Sequence, residues 1–147
     1  MIVKQLNIGI IGLGTVGSGV IESIEHKKNF FKKKYNLKIN ILGISAKNKK
    51  KKRVFDINKY NWFSNPLDII DIPNINLIIE LIGGSSGLAL DIAKKTLIKK
   101  KHLITANKAL LSVHGEQLSK IAKKNNVNIC YEAAVAGAIP IINVLEN

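Results

Sequence analysis

A short apolar segment runs directly into a glycine-rich turn near the start of the chain, and this junction constrains the fold more than any other feature. Residues Leu6 to Ile11 have the apolar content of a buried strand, and the turn Gly12-Leu13-Gly14-Thr15-Val16-Gly17 follows them at once. Apolar residues then recur at helical spacing in Val16, Val20, Ile21 and Ile24. A strand, a GxGxxG turn and a helix in this order are typical of a dinucleotide-binding unit.

The residue types of this turn suit a diphosphate group. Glycines let backbone N–H groups approach phosphate oxygens, and the positive end of the helix dipole favours an anion there. The helix has no acid before Glu22, although first turns of helices usually favour Asp or Glu. We therefore predict that the turn binds the cofactor through Gly12, Leu13, Gly14, Thr15, Val16 and Gly17. The alternative is a glycine turn that only connects strand to helix.

Apolar runs and amphipathic segments alternate along the rest of the chain. The further predicted strands are Lys38 to Ser45, Asn76 to Ile82, His102 to Thr105 and Val127 to Glu132. The predicted helices are one that ends between His26 and Lys34, a short one over Leu67 to Ile70, and two over Leu88 to Lys100 and Gly115 to Asn125. This alternation predicts an α/β fold of the Rossmann type, a doubly wound parallel sheet with helices on both faces.

Composition narrows the functional classes. A chain of 147 residues suits one α/β domain with a core and is short for a two-domain oxidoreductase. The net charge of +13 comes almost wholly from lysine, because Arg53 is the only arginine. Specific base recognition favours arginine, so we predict no specific nucleic-acid partner.

The single cysteine and the hydropathy of the chain argue against disulfide-bonded proteins, thioester-forming enzymes and membrane proteins. Because Cys130 is the single cysteine, an internal disulfide is excluded. Its place in the apolar run Val127 to Tyr131 favours a buried thiol over a nucleophile. A thioester-forming aldehyde dehydrogenase would need a reactive cysteine at the nicotinamide instead. The sequence has no signal peptide and no apolar run long enough to span a bilayer, so we expect no membrane contact and a cytoplasmic location.

Three further segments carry a family resemblance. The segments E-L-I-G-G at 80–84, T-A-N-K-A-L-L at 105–111 and Y-E-A-A-V-A-G-A-I-P-I-I at 131–142 follow the glycine turn in order. With that turn, the chain resembles homoserine dehydrogenase over essentially its whole length. The resemblance implies reversible hydride transfer between NAD(P)H and L-aspartate 4-semialdehyde, which gives L-homoserine in threonine and methionine biosynthesis.

The resemblance also implies a domain organisation. Residues 1–135 would form the dinucleotide-binding domain, and residues 136–147 would begin the connection to a substrate and dimerisation domain absent from this chain. The partners would be the small-molecule substrate and, through that absent domain, a second copy. We expect the isolated chain to bind nucleotide and to turn over aspartate 4-semialdehyde poorly.

Site residues follow from the matched motifs. In T-A-N-K, the resemblance makes Lys108 catalytic, contacting the cofactor phosphate or ribose or polarising the substrate oxygen. Asn107 would donate to the nicotinamide or ribose, or else form an Asx turn. Gly83 and Gly84 would let the backbone approach the ribose or nicotinamide, or make the strand-to-helix turn. Glu80 is an acid in an apolar strand, with a structural or a functional role.

Cofactor choice depends on the end of the second strand. NAD-preferring enzymes usually place an acid there for the ribose 2′-hydroxyl, whereas this chain reads Ile44-Ser45-Ala46-Lys47 with no acid before Asp56. We therefore predict NADP, with Lys47 facing the 2′-phosphate, and NAD as the alternative.

A metal site is implied by the resemblance alone. Glu132, with the carbonyls of Val135, Gly137 and Ile139, would hold a sodium ion in a mainly structural role. The alternative is an ion pair between Glu132 and a lysine. For the whole chain, the alternative function is a non-catalytic Rossmann module that senses nucleotides and needs no T-A-N-K lysine.

Overall fold

A five-stranded parallel sheet forms the centre of the computed structural model, which describes residues 2–131. The strands are β1 (Lys4–Ile11), β2 (Leu37–Ser45), β3 (Leu77–Glu80), β4 (His102–Thr105) and β5 (Ile129–Tyr131). The helices are α1 (Thr15–Tyr35), α2 (Pro66–Ile70), α3 (Leu88–Ile98) and α4 (Lys108–Asn125), with a 3₁₀ turn over Ile57–Lys59. The predicted α/β fold is thereby confirmed.

The strand order brings the functional segments to one edge of the sheet. The order is β2-β1-β3-β4-β5, and every neighbouring pair is parallel. The chain winds outward from β1 in one direction to β2 and in the other to β3, which makes the β1/β3 border a topological switch point. Ligands of such sheets bind beyond the carboxyl ends of the strands at that point.

Alternation along β1 explains why helices cover both faces. Ile8 and Ile10 belong to one buried cluster, which α1 completes with Val20, Ile21 and Ile24. Ile11 belongs to a second cluster on the opposite face, which α3 and α4 complete with Ile92, Leu97, Leu110 and Leu118. Successive side chains of a strand point to opposite faces, so the apolar and buried end of β1, residues 8–11, must be covered on both.

Several predicted boundaries differ from the structure, and two of them do so for identifiable reasons. The last helix begins at Lys108 instead of Gly115, because the Asn107 side chain accepts a hydrogen bond from the Leu110 N–H at 3.0 Å and caps the helix there. Strand β3 ends at Glu80 instead of Ile82, because the Ile82 N–H donates to the Glu80 carboxylate and leaves the ladder. Helix α1 also runs on to Tyr35, beyond the predicted end.

The described residues include no helix that combines the length and the apolarity needed to cross a membrane.

Candidate functional site

Two glycines of the turn are required by backbone packing. Gly12 has φ of +100°, and a Cβ there would lie 2.7 Å from the carbonyl of Leu81. A Cβ on Gly17 would lie 1.9 Å from the carbonyl oxygen of Gly12. Only glycine lets α1 pack this closely on the turn after β1.

Gly14 differs from both, because it faces open space. Its immediate neighbours aside, no heavy atom of the described residues lies within 4 Å of a Cβ built on Gly14. Gly14 is the N-cap of α1, where no side chain caps the helix, and the described first turn carries no acid. The first bond within the helix runs from the Ser18 N–H to the Gly14 carbonyl at 2.9 Å, so the N–H groups of Thr15, Val16 and Gly17 precede it.

These features fit a dinucleotide diphosphate. The N–H groups at the start of α1 and the helix dipole both favour an anion, and the space beside Gly14 leaves room for it. The fit depends on the backbone, so it needs no charged side chain in the turn itself.

A cavity of about 750 Å³ lies next to this turn. Its lining comes from three loops: residues 12–14 after β1, residues 46–48 with Lys51 and Arg53 after β2, and residues 81–83 after β3. The structure therefore brings the predicted residues Lys47 and Gly83 together with the glycine turn. Gly84 does not line this cavity. It has φ of +99°, and its carbonyl accepts a hydrogen bond from the Asn107 side chain at 2.7 Å.

Lys51 and Arg53 line the cavity but were absent from the residues predicted from sequence. The sequence did single out Arg53 as the only arginine. It could not show that the lysine-rich segment folds back over the glycine turn. The Arg53 guanidinium donates to the Leu13 carbonyl at 3.3 Å, which joins residues 40 positions apart.

Glu80 is the centre of a buried network at the ends of β3 and β4. Its side chain is fully buried, and its carboxylate accepts the Ile82 N–H at 2.7 Å and the Thr105 hydroxyl at 2.5 Å. The Thr105 oxygen in turn accepts the Asn107 N–H at 3.0 Å. Burial raises the pKa of Glu80 above its ordinary value of 4.5, and both hydrogen bonds oppose that shift. Glu80 thus has the structural role, since it holds two strand-end loops in place.

Asn107 connects this network to the start of α4. Its side-chain oxygen caps the helix, and its side-chain N–H binds the carbonyl of Gly84. The side chain is therefore engaged in loop structure, and its contact with a nicotinamide or ribose stays a prediction.

Lys108 is the first residue of α4, and its side chain is exposed. An ammonium there lies at the positive end of the helix dipole, where a cation is disfavoured. The role of Lys108 in binding or catalysis stays a prediction. The position of this residue at the carboxyl end of β4 places it at the same edge of the sheet as the glycine turn.

The predicted sodium ligands Glu132, Val135, Gly137 and Ile139 lie outside the described residues, as do residues 136–147. Within residues 2–131, no group of three or more His, Cys, Asp or Glu side chains is placed to hold a metal ion. Cys130 lies in β5, as the sequence predicts, but the prediction that it is buried is wrong, because β5 is the edge strand of the sheet and Cys130 is partly exposed there.

Comparisons with known proteins agree with one another. Residues 12–132 match the family model described as the NAD binding domain of homoserine dehydrogenase. The homoserine dehydrogenase of Bacillus subtilis is 37% identical over 147 residues, covering 97% of this chain and 33% of that protein. That of Helicobacter pylori is 39% identical over 149 residues, covering 98% and 33%. The chain thus spans about a third of the length of these relatives.

Solved structures give the same result. A crystal structure of Staphylococcus aureus homoserine dehydrogenase superimposes with a TM-score of 0.84 and 38% identity, covering 90% of this chain and 33% of that one. A hyperthermophilic archaeal homoserine dehydrogenase in complex with NADPH gives a TM-score of 0.71 at 25% identity, covering 97% and 49%.

Proposed function

The chain belongs to the homoserine dehydrogenase family and carries its NAD-binding domain, and from this we propose that it binds the nicotinamide cofactor for interconversion of L-aspartate 4-semialdehyde and L-homoserine. The observation that carries the proposal is the uncapped start of α1, which opens beside Gly14 at a cavity lined by three strand-end loops. When bound, the nicotinamide supplies or accepts the hydride. The alternative of a non-catalytic nucleotide sensor has no support in these comparisons.

The residues of the chain would bind and orient the cofactor. The N–H groups of Thr15, Val16 and Gly17 would donate to the diphosphate, with Gly12, Leu13 and Gly14 completing the turn. Gly83 and Gly84 would let the backbone approach the nicotinamide half. Asn107 and Lys108 would approach it from β4, where the ammonium of Lys108 would orient the cofactor or polarise the substrate oxygen.

We propose that the cofactor is NADP, with NAD as the alternative. The Lys47 side chain is exposed, lines the cavity and makes no hydrogen bond or ion pair with any described residue, so it is available to a 2′-phosphate. We expect Lys47→Ala to weaken NADPH binding about tenfold and NADH binding hardly at all.

A charge-matched control separates this contact from the general positive field of the loop. Lys50 is exposed and does not line the cavity, so Lys50→Ala should leave the dissociation constants of both nucleotides nearly unchanged. Fluorescence titration of the wild-type chain and both variants provides the measurement. Tighter binding of NADH than NADPH to the wild type would overturn the preference.

Substitution of Lys108 by alanine tests whether the protein is an enzyme. In the full-length context we expect Lys108→Ala to lower turnover of aspartate 4-semialdehyde about 100-fold or more, because a positioned cation at the reacting oxygen is lost. Lys124→Ala removes the same charge near the other end of α4 and should change turnover little. Equal, small effects of the two substitutions would favour a sensor over an enzyme.

We propose that the substrate contacts and a homodimer interface belong to regions beyond the described residues. The chain alone should then bind nucleotide and turn over aspartate 4-semialdehyde poorly, and robust turnover by the pure chain would contradict this.

We also propose a structural sodium ion at Glu132, Val135, Gly137 and Ile139. A thermal midpoint that is equal in sodium and in potassium salts would count against it. The cytoplasmic location stays a prediction.

A further inference from the structure

Arg53 ties the loop after β2 to the glycine turn. Its Nε donates to the Leu13 carbonyl at 3.3 Å, and its terminal nitrogens donate to the carbonyls of Asn48 at 2.7 Å, Lys51 at 2.8 Å and Lys49 at 3.3 Å. An arginine has five N–H donors, and four of them are used here by backbone carbonyls. Most of the hydrogen-bonding capacity of Arg53 is therefore committed to the protein itself.

The guanidinium also rests on a fixed aromatic ring. Its central carbon lies 5.7 Å from the centroid of Trp62. Trp62 is held at the outer edge of the sheet by backbone hydrogen bonds to Ile44 of β2. The Ile44 carbonyl accepts from the Phe63 N–H, and the Ile44 N–H donates to the Asn61 carbonyl, both at 2.9 Å. Arg53 thus connects three parts of the molecule: the edge of the sheet, the loop after β2 and the turn after β1.

The contacts of Arg53 hold together a loop after β2 whose positive side chains repel one another. Residues 49–52 are four consecutive lysines, whose like charges disfavour a compact loop. Arg53 gathers three carbonyls of this loop around one planar cation and fixes the backbone. The Lys51 side chain is exposed, lines the cavity with Lys47, and makes no hydrogen bond or ion pair within residues 2–131.

We propose that Arg53 is a positioning residue for the dinucleotide. It holds residues 48–52 against the glycine turn, so that Lys47 and Lys51 face the 2′-phosphate together. The Arg53 guanidinium itself stays hydrogen-bonded to backbone carbonyls and does not contact the phosphate. The proposal rests on the proposed function, because it needs a dinucleotide in the cavity. Selectivity for the 2′-phosphate then depends on the planar arrangement of the Arg53 N–H donors, here called the fork, as well as on charge.

Two substitutions at Arg53 and one control test this proposal in the 147-residue chain. Arg53→Lys keeps the charge and loses the fork, Arg53→Gln loses both, and Lys50→Gln loses one charge in the same loop. We expect both Arg53 variants to bind NADPH about tenfold more weakly, with NADH affinity changed less than about threefold, and Lys50→Gln to resemble the wild type. Circular dichroism and thermal midpoints check folding, and Arg53→Lys carries the test if Arg53→Gln unfolds.

A measurement without nucleotide distinguishes positioning from direct binding. Amide hydrogen exchange of residues 48–52 should be faster in both Arg53 variants than in the wild type and Lys50→Gln. The reason is that the hydrogen bonds from Arg53 to the carbonyls of this loop are lost. Wild-type affinity in Arg53→Lys would overturn the proposal. So would a loss of affinity without faster exchange, since that outcome would make Arg53 a direct ligand. If the wild type binds neither nucleotide, the proposed function itself fails, whatever the exchange rates of this loop.

Discussion

Replacement of Gly17 by alanine is expected to lower the free energy of unfolding by about 3 kcal/mol. The added Cβ would lie 1.9 Å from the carbonyl oxygen of Gly12 and 2.9 Å from its carbonyl carbon. Both are backbone atoms, so no side-chain rotation can relieve the overlap. The turn and the start of α1 must then separate, which also displaces the N–H groups that we expect to hold the diphosphate.

Gly19 provides a matched control two residues further along the same helix. Apart from its neighbours and the backbone of α1 itself, no heavy atom of the described residues lies within 4 Å of a Cβ built on Gly19. Gly19→Ala should therefore stabilise the protein by about 0.5 to 1 kcal/mol, because alanine loses less conformational entropy in a helix. Urea denaturation of the wild type and the two variants measures both effects. A Gly17→Ala protein as stable as the wild type would contradict the close packing of the turn on α1.

Replacement of Glu80 by alanine is the second large effect that we expect, a loss of about 2 to 3 kcal/mol of unfolding free energy at acidic pH. The substitution leaves the Ile82 N–H and the Thr105 hydroxyl without their acceptor, and Thr105 is fully buried. It also loosens the connection through Thr105 to Asn107 and the start of α4. Weaker nucleotide binding should accompany the loss of stability.

The cost of this substitution should depend on pH with a definite sign. The pKa of Glu80 in the folded protein is raised above its ordinary value of 4.5, with burial as the main cause. The contribution of Glu80 to stability is therefore complete below 4.5 and declines as pH rises through the raised pKa. The stability difference between wild type and Glu80→Ala should shrink over that range.

Glu116 is the control for an acid on the surface. Its carboxylate pairs with Lys120 four residues along α4, and both side chains are largely exposed. Glu116→Ala should change stability little at any pH, because exposed ion pairs contribute little. A difference for Glu80→Ala that grows from acidic to neutral pH would show that the buried carboxylate is stabilised in its charged form.

Local patterns were sufficient to predict the fold. The strand content of Leu6 to Ile11, the glycine turn and the helical spacing after it all depend on residues close in sequence. Patterns of this kind also identified the order of strands and helices along the chain. They missed the start of α4 at Lys108: Asn107 is a residue type that favours an N-cap, but Gly115 lowers the helix propensity of the segment after it.

The site was predicted less completely, because its organisation depends on contacts that are distant in sequence. Glu80 was recognised as an acid that needs a partner, but only the pairing of β3 with β4 identifies that partner as Thr105. Arg53 was noticed as the only arginine, yet its contacts with Leu13 and Trp62 follow from how the loop after β2 folds back. The glycine turn needed no such information, since its chemistry lies in its own backbone.

A crystal structure of the chain grown with NADPH tests the central claim most directly. We predict that diphosphate oxygens lie within about 3.2 Å of backbone N–H groups among Thr15, Val16 and Gly17, with the nucleotide passing over Gly14. A structure in which NADPH binds elsewhere, or in which a side chain of the protein fills the space beside Gly14, would contradict the account.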